Sequence, residues 1–248
     1  MKKLIRKFLR KLSRIVFLLT PDEFRKNYFN IEEIYVNEER ISSYNHFKKY
    51  FKNAVLFKTT NQKLPKGRKY EQIRKYAIEQ AILNDKKKEK LYLEFGVFKG
   101  TSINFFSNYL ETIYGFDSFE GLKEDMLGTF LPKGIFNLNK KIPKLNKNVV
   151  PVVGWVQDTL DNFLNQHNQK INFVHMDVDT YETSSYVLKK IKPHLSNNAI
   201  ILFDELHNYA GWQGGEYKAL REVFEDNEYI FKAFSFENQA VIQIVKED

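Results

Sequence analysis

The chain has 248 residues, enough for one well-packed core with small appendages. Its 43% hydrophobic and 28% charged residues are typical of a globular protein and argue against disorder throughout. It contains no cysteine, which excludes disulfides and thiolate metal sites and suits a reducing cytoplasm.

The formal net charge of +8 is concentrated at the N-terminus, where residues 1–14 carry seven basic side chains and no acidic one. Setting these aside leaves 32 basic against 31 acidic residues, so the charge of the body calls for no nucleic-acid partner. On a helix, the apolar side chains of residues 4–19 fall within one arc of about 140°, opposite the basic ones. The pattern predicts a basic amphipathic helix over residues 1–20.

Such a helix suits a membrane surface, with apolar side chains in lipid and basic ones on anionic headgroups. Peripheral membrane contact through residues 1–19 is one interpretation; packing on the protein itself or on a second copy in a homo-oligomer is the other. The uninterrupted apolar run of residues 15–19 is too short for a membrane span or for the apolar region of a signal peptide.

After Pro21, residues 21–69 are predicted to form an N-terminal extension that shapes a substrate pocket. Residues 70–85 have helical spacing. Short apolar runs then alternate with helical segments, a pattern typical of a doubly wound α/β sheet. Over residues 70–248 we expect a Rossmann-like, mostly parallel, seven-stranded sheet. Its last two strands, "YIFKAFS" and "QAVIQIVK", should pair as an antiparallel hairpin.

The segment 118–147 lacks clear periodicity and contains three glycines and two prolines. Thirty residues are too many for a simple connection in a compact domain. We therefore predict a lid or substrate loop, or else a small insertion helix.

Acidic residues follow most of the predicted strands, at the sheet edge where ligands of such folds bind. They are Glu94, Asp117, Asp177, Asp179, Asp204 and Glu205, with His207 close behind the last two. Any one acid at a strand end can simply cap the next helix. Three of them, Asp177, Asp204 and Glu205, would lie on adjacent strands and repel one another without a cation. Oxygen ligands of this kind suit Mg²⁺ or another divalent cation.

Five motifs together resemble one enzyme family. They are "LEFGVFKG", "YGFDSFEGL", "GWVQDTL", "MDVDTYETS" and "ILFDELHNY". "LEFGVFKGTS" is similar to motif I of class I S-adenosylmethionine-dependent methyltransferases, and the set, over about residues 90–225, resembles the macrocin O-methyltransferase type. The resemblance implies a Mg²⁺-dependent O-methyltransferase that acts on a sugar hydroxyl in surface-polysaccharide, capsule or glycolipid biosynthesis. It would work in the cytoplasm, with the N-terminal helix as a means of reaching the inner membrane surface.

By this resemblance, Glu94 takes the ammonium of the cofactor's methionine, with the Gly96 backbone close by, and Ser102 helps to hold the carboxylate. An ammonium explains a carboxylate in a glycine turn that would otherwise suit a phosphate. Asp117 would bind the ribose hydroxyls. The other implied cofactor contacts are Ser118, Gln157, Asp158 and Asp177, of which Gln157 and Asp158 lie beside the adenine.

The same resemblance places the metal on Asp177, Asp204 and Glu205. Catechol O-methyltransferases, which share this skeleton, have a lysine three residues beyond the first metal ligand, where this chain has Thr180. The general base is therefore open: His207 is preferred and Asp179 is second, unless Asp179 is a fourth metal ligand.

The sequence also leaves room for functions other than methylation of a sugar hydroxyl. The acceptor could be a small molecule other than a sugar, or a phosphorylated one. A nicotinamide dehydrogenase would need a third glycine after Gly96 and Gly100. An RNA methyltransferase is disfavoured by the neutral body and by the absence of a motif for a flipped base. A non-catalytic membrane-associated scaffold would have no use for a crowd of carboxylates.

Overall fold

The computed structural model describes residues 37–57, 71–129 and 131–246. They form one eight-stranded sheet with the order β1-β7-β8-β6-β5-β2-β3-β4. The strands are β1 (Val55–Phe57), β2 (Leu91–Phe95), β3 (Ile113–Asp117), β4 (Val149–Val153), β5 (Ile171–Met176), β6 (Leu195–Phe203), β7 (Tyr229–Ser235) and β8 (Ala240–Ile244). β8 pairs antiparallel with β6 and β7, and every other neighbouring pair is parallel. The predicted doubly wound α/β class and the terminal antiparallel pair are confirmed.

The seven strands predicted for residues 70–248 are present as β2 to β8, and the N-terminal extension adds an eighth, β1, to the edge of the sheet. β1 pairs with β7 over three residues, from Val55 opposite Ala233 to Phe57 opposite Ser235. Its apolar run, "AVLF", is short, and Val55 and Leu56 are exposed, so this strand lacks the length by which strands are recognised from sequence.

Six helices lie in the described part of the chain. They are α1 (residues 37–47), α2 (Glu71–Leu83), α3 (Thr101–Ser107), α4 (Val156–Gln166), α5 (Tyr181–Ile191) and α6 (Glu216–Val223). Successive side chains of a strand point to opposite faces. In β2, Leu91, Leu93 and Phe95 therefore join the core under α4, α5 and α6, while Tyr92 joins the core under α2 and α3.

The central strands end at the edge that carries the predicted site. All residues of β2 and β5 are buried, which explains their near-continuous apolar sequences. Between β3 and β4, the described residues of segment 118–147 form turns and bends without helix or strand, so the alternative of a small insertion helix finds no support there.

The predicted amphipathic helix of residues 1–20 lies outside the described residues, as do residues 21–36 and 58–69 of the predicted extension. Within the described part, no helix is both long and apolar enough to span a bilayer.

Candidate functional site

A cavity of about 280 Å³ opens at the carboxyl ends of the parallel strands. This is the edge at which open α/β sheets bind ligands, and the volume is close to that of a small-molecule pocket. Of the predicted site residues, those that line it are Gly96, Asp117, Ser118, Gln157, Asp177, Asp179 and Glu205. The structure places Glu94, Ser102, Asp158, Asp204 and His207 elsewhere, as described below.

The glycine turn after β2 is shaped by a neighbouring loop. Gly96 has a φ of +88°, and a Cβ there would lie 1.7 Å from the backbone oxygen of Asp177. Only glycine therefore allows the turn after β2 to lie against the loop after β5. Residues of both loops therefore line the same cavity.

Asp117 holds that turn from the end of β3. Its Oδ2 accepts hydrogen bonds from the backbone N–H groups of Val97 and Phe98, at 2.9 and 2.7 Å, and its Oδ1 accepts one from Phe119 N–H at 2.6 Å. The carboxylate also lines the cavity. Oδ2 thus uses both of its lone pairs, whereas Oδ1 keeps one with which it could accept a hydrogen bond from a ribose hydroxyl.

A buried row of charged side chains, which we call the inner row, runs beneath the cavity. It consists of Glu94, His175, Asp204 and Arg74, all buried. His175 Nδ1 lies 3.3 Å from Glu94 Oε2, and Nε2 lies 3.3 Å from Asp204 Oδ1. Arg74 Nη2 donates to the same Asp204 oxygen at 3.2 Å.

Both carboxylates of the inner row also contact neutral side chains. The Ser102 hydroxyl donates a hydrogen bond to Glu94 Oε1 at 2.8 Å, and the Gln239 side-chain amide donates one to Asp204 Oδ1. Glu94 and Ser102, predicted to contact the cofactor, thus contact each other below the cavity. Asp204, predicted as a metal ligand, is turned toward the two cations of the row.

Opposite charges fix the protonation of the inner row. Burial alone would lower the pKa of His175, but its contacts with Asp204 and Glu94 outweigh burial and raise the pKa to about 10. Burial would raise the pKa of Asp204, but the hydrogen bond from His175 and the charge of Arg74 lower it well below its usual range. The row is therefore a set of paired buried charges.

The carboxylates of Asp177, Asp179 and Glu205, which we call the outer cluster, lie on the cavity wall. One oxygen of each lies within 4.8 Å of the others. Burial raises the pKa of all three, and so does the charge of Asp204; the pKa of Asp179 reaches about 7. Asp177 also belongs to a second group within the same distance, with His175 and Asp204, where cationic partners are already present.

His207 lies away from the cavity, among aromatic rings. It is buried, with ring-centre distances of 5.4 Å to Phe47 and to Phe234, and its Nε2 lies 3.2 Å from the backbone oxygen of Gln239. Burial lowers its pKa to about 4, so the ring is neutral at pH 7. His207 is not among the described residues that line the cavity, whereas Asp179 is.

The far end of the cavity, beside α4, combines a lysine with an aromatic ring. Lys123 Nζ lies 4.5 Å from the ring centre of Trp155 and donates to Gln157 Oε1 at 2.8 Å. Gln157 lines the cavity here, and its contact with adenine stays a prediction, while Asp158 is exposed and does not line the cavity.

Several of these residues were missed by sequence reasoning. His175 was legible as the one ionisable side chain in the buried run "INFVHM", while Arg74 lies 130 positions from its partner Asp204. The lining side chains from segment 118–147, among them Lys123, Leu131 and Phe136, come from a stretch without periodicity.

Comparison with known proteins gives a partial family match and a likeness of fold. Residues 93–206, a little under half of the chain, match the family model described as "Methyltransferase domain". The crystal structure of CalS11, a calicheamicin methyltransferase, is 22% identical with a TM-score of 0.59, covering 73% of this chain and 80% of that one. No curated protein sequence matches the chain.

The apo structure of CalS11, described as a TDP-rhamnose 3′-O-methyltransferase in calicheamicin biosynthesis, is also 22% identical, with a TM-score of 0.52. That likeness covers 70% of this chain and 78% of that one. The chain therefore shares the Rossmann-like fold of these methyltransferase structures, and residues 93–206 are similar to a methyltransferase domain.

Proposed function

We propose that the protein is an S-adenosylmethionine-dependent O-methyltransferase that uses Mg²⁺ or another divalent cation and acts on a sugar hydroxyl. The observation that carries the proposal is one cavity at the carboxyl edge that brings together a glycine turn, Asp117 and the outer cluster. The methyltransferase-domain match over residues 93–206 supports the reaction class.

The cavity suits a cationic cofactor better than a phosphate-bearing one. Four carboxylates line it, those of Asp117 and the outer cluster, against the single described lysine Lys123. A dinucleotide pyrophosphate would meet like charge here, whereas S-adenosylmethionine carries an ammonium and a sulfonium. Asp117, Ser118 and Gln157 would hold its ribose and adenine, and Asp177 would face its methionine.

The outer cluster suits a divalent cation. Its three carboxylate oxygens converge within 4.8 Å, and no described lysine, arginine or histidine forms an ion pair with any of them. Crowded, uncompensated carboxylates are stabilised by a bound cation, and oxygen ligands with open positions favour Mg²⁺. Relative to the set expected from sequence, Asp177 and Glu205 are kept as ligands and Asp204 is assigned to the inner row.

When bound, the cofactor supplies an electrophilic methyl group and the cation lowers the pKa of a coordinated hydroxyl. The chain's own residues position that hydroxyl and take its proton. Asp179 is a carboxylate on the cavity wall beside both proposed ligands, a position suited to a general base. We therefore assign proton transfer to Asp179 rather than to His207.

The inner row supports the site from below. Glu94, held by Ser102 and His175, fixes the end of β2 directly before the Gly96 turn. Asp204 fixes the end of β6 directly before Glu205. In this assignment Glu94 and Asp204 act on the cofactor and the cation through the backbone rather than by contact.

The proposal of a sugar acceptor is supported by the likeness to CalS11, described as a TDP-rhamnose 3′-O-methyltransferase. We place the reaction in surface-polysaccharide, capsule or glycolipid biosynthesis, in the cytoplasm or at the inner membrane surface. Incubating the protein and S-adenosylmethionine with nucleotide-linked sugars, free sugars and catechols would test this. Methylation of a catechol but of no sugar would overturn the acceptor class.

The cofactor and cation are tested by calorimetric titration with S-adenosylhomocysteine, with and without Mg²⁺. We expect binding in both conditions, and for Asp177→Ala we expect retained cofactor binding with loss of methyl transfer. Absence of binding would refute the methyltransferase assignment. Undiminished turnover in excess EDTA would refute the metal requirement alone.

A further inference from the structure

Glu216, the first residue of α6, is a completely buried acid behind the outer cluster. Its Oε2 accepts a hydrogen bond from the backbone N–H of Glu205 at 3.0 Å. Its Oε1 is buried and has no hydrogen-bond partner among the described residues. One of the proposed cation ligands is thus attached to a second carboxylate that no other part of the proposed mechanism uses.

The fold turns this acid inward by the way α6 begins. Ala219 and Leu220, three and four positions later, are buried on the same face of the helix. A side chain on that face is ordinarily apolar. Gly215, just before the helix, allows close packing: a Cβ there would lie 2.2 Å from the Tyr209 hydroxyl.

The charge of Glu216 has no cationic partner in the described part of the chain. The two buried cations nearby, Arg74 and His175, contact Asp204 and Glu94. Burial raises the pKa of Glu216 more than the hydrogen bond from Glu205 lowers it, and the charges of Asp204 and Asp177 raise it further. A buried charge is normally paired or faces a metal ion.

We propose that Glu216 is a positioning residue for a divalent cation bound at the outer cluster. It fixes the Glu205 backbone and adds negative charge behind the cation without being a ligand itself. The inference rests on the proposed cation site. Residues that hydrogen-bond to metal ligands commonly weaken metal binding by about 10- to 100-fold when they are removed.

The test is Glu216→Gln, which keeps an oxygen that can accept the Glu205 hydrogen bond and removes only the charge. Its matched control is Glu222→Gln, the same change on the same helix at a side chain that is 40% exposed. Titration calorimetry with MgCl₂, in the presence of S-adenosylhomocysteine, should give a Kd about 10-fold or more weaker for Glu216→Gln. The Kd of Glu222→Gln should equal that of the wild type.

The melting temperature distinguishes the proposed positioning role of Glu216 from a purely structural one. In EDTA, Glu216→Gln should melt at or above the wild-type temperature, because a neutral amide replaces a buried carboxyl group that has no cationic partner, while the rise in melting temperature on adding Mg²⁺ should shrink. Glu216→Ala, which also loses the hydrogen bond to Glu205, should bind Mg²⁺ at least as weakly and provides a second variant.

The outcomes separate this inference from the proposed function. If the wild type binds Mg²⁺ and both glutamine variants bind it equally well, Glu216 has no positioning role and the proposed function stands. If the wild type binds neither Mg²⁺ nor Mn²⁺, the cation requirement and this inference both fall, while binding of S-adenosylhomocysteine would still support the methyltransferase assignment.

Discussion

The inner row and the outer cluster contain the same kinds of acidic residue at the same edge of one sheet, yet their charges are balanced differently. Glu94 and Asp204 in the inner row each contact His175, and Asp204 also contacts Arg74. In the outer cluster, no described cation forms an ion pair with Asp179 or Glu205, and Asp177 has His175 nearby without an ion pair to it. The fold thus compensates one set of carboxylates internally and leaves the other set facing a cavity.

This difference distinguishes the carboxylates that stabilise the fold from those that can bind a cation or act as a base. A carboxylate with a built-in counter-ion stabilises the fold and has a pKa unsuited to proton transfer, as the lowered pKa of Asp204 illustrates. A carboxylate without one can bind a cation or act as a base, as the raised pKa of Asp179 indicates. The ionic partner of a carboxylate is therefore a better guide to its function than its distance from the cavity.

The largest effect is expected on turnover in the outer cluster. Asp179→Asn removes the proposed base and should lower kcat by about 10²- to 10⁴-fold, measured as transfer of labelled methyl from S-adenosylmethionine. Its free energy of unfolding in EDTA should not fall, because it loses an uncompensated charge. Asp161→Asn, at an exposed side chain of α4 that pairs with Lys190, is the matched control and should keep wild-type turnover. A fully active Asp179→Asn variant would show that this carboxylate of the outer cluster does not transfer the proton.

In the inner row, the largest effect should be on stability. His175→Gln leaves two buried carboxylates without their shared cation and should lower the free energy of unfolding by about 3–5 kcal/mol at neutral pH. The folded pKa of about 10 lies above the usual 6.5, so this stabilisation is complete below pH 6.5 and is lost as the pH rises through 10.

Urea unfolding of wild type and His175→Gln between pH 6.5 and 10 measures this directly. The two stability curves should converge toward pH 10, as the wild-type imidazolium loses its proton. Curves that stay parallel would mean that His175 is neutral in the folded protein, and the inner row would then lack its central cation.

His207 provides the contrasting case of a buried histidine without a carboxylate partner. Its folded pKa of about 4 lies below 6.5, so its stabilisation is present above pH 6.5 and is lost as the pH falls through 4, a loss of about 3 kcal/mol. His207→Phe keeps a ring between Phe47 and Phe234 and should reduce the acid sensitivity of unfolding by that amount. Its turnover should match that of the wild type. Loss of turnover in this variant would restore His207 as the base.

The fold was largely predictable from sequence, and the reason is the burial of its parallel strands. "INFVHM" and "LYLEF" are continuous apolar runs because both faces of β5 and β2 are covered. β1 was not predictable, because an exposed three-residue edge strand is stabilised by its pairing with β7 rather than by its own composition.

The position of the site was predictable, but the direction of its side chains was not. Topology alone brings Glu94, Asp177 and Asp204 to one edge. Which of them faces the cavity depends on α2, which supplies Arg74 from a distant part of the chain, and on Gln239 from the loop before β8. The predicted contact of Glu94 with the cofactor and the predicted ligation of a metal by Asp204 stay predictions, since a motif specifies the residue type and not its partners.

The smallest effect is expected at Lys123, the one lysine among the described residues lining the cavity. Its ammonium is engaged by Trp155 and Gln157, so it should not balance the charge of the outer cluster. Lys123→Met should change the Mg²⁺ Kd by less than about twofold and weaken S-adenosylhomocysteine binding by about two- to fivefold, the worth of one exposed cation–π contact. Lys140→Met, an exposed lysine of the same segment paired with Glu120, controls for the loss of charge. If Lys123→Met tightened Mg²⁺ binding about tenfold while Lys140→Met did not, Lys123 would be acting on the outer cluster, and those carboxylates would no longer count as uncompensated.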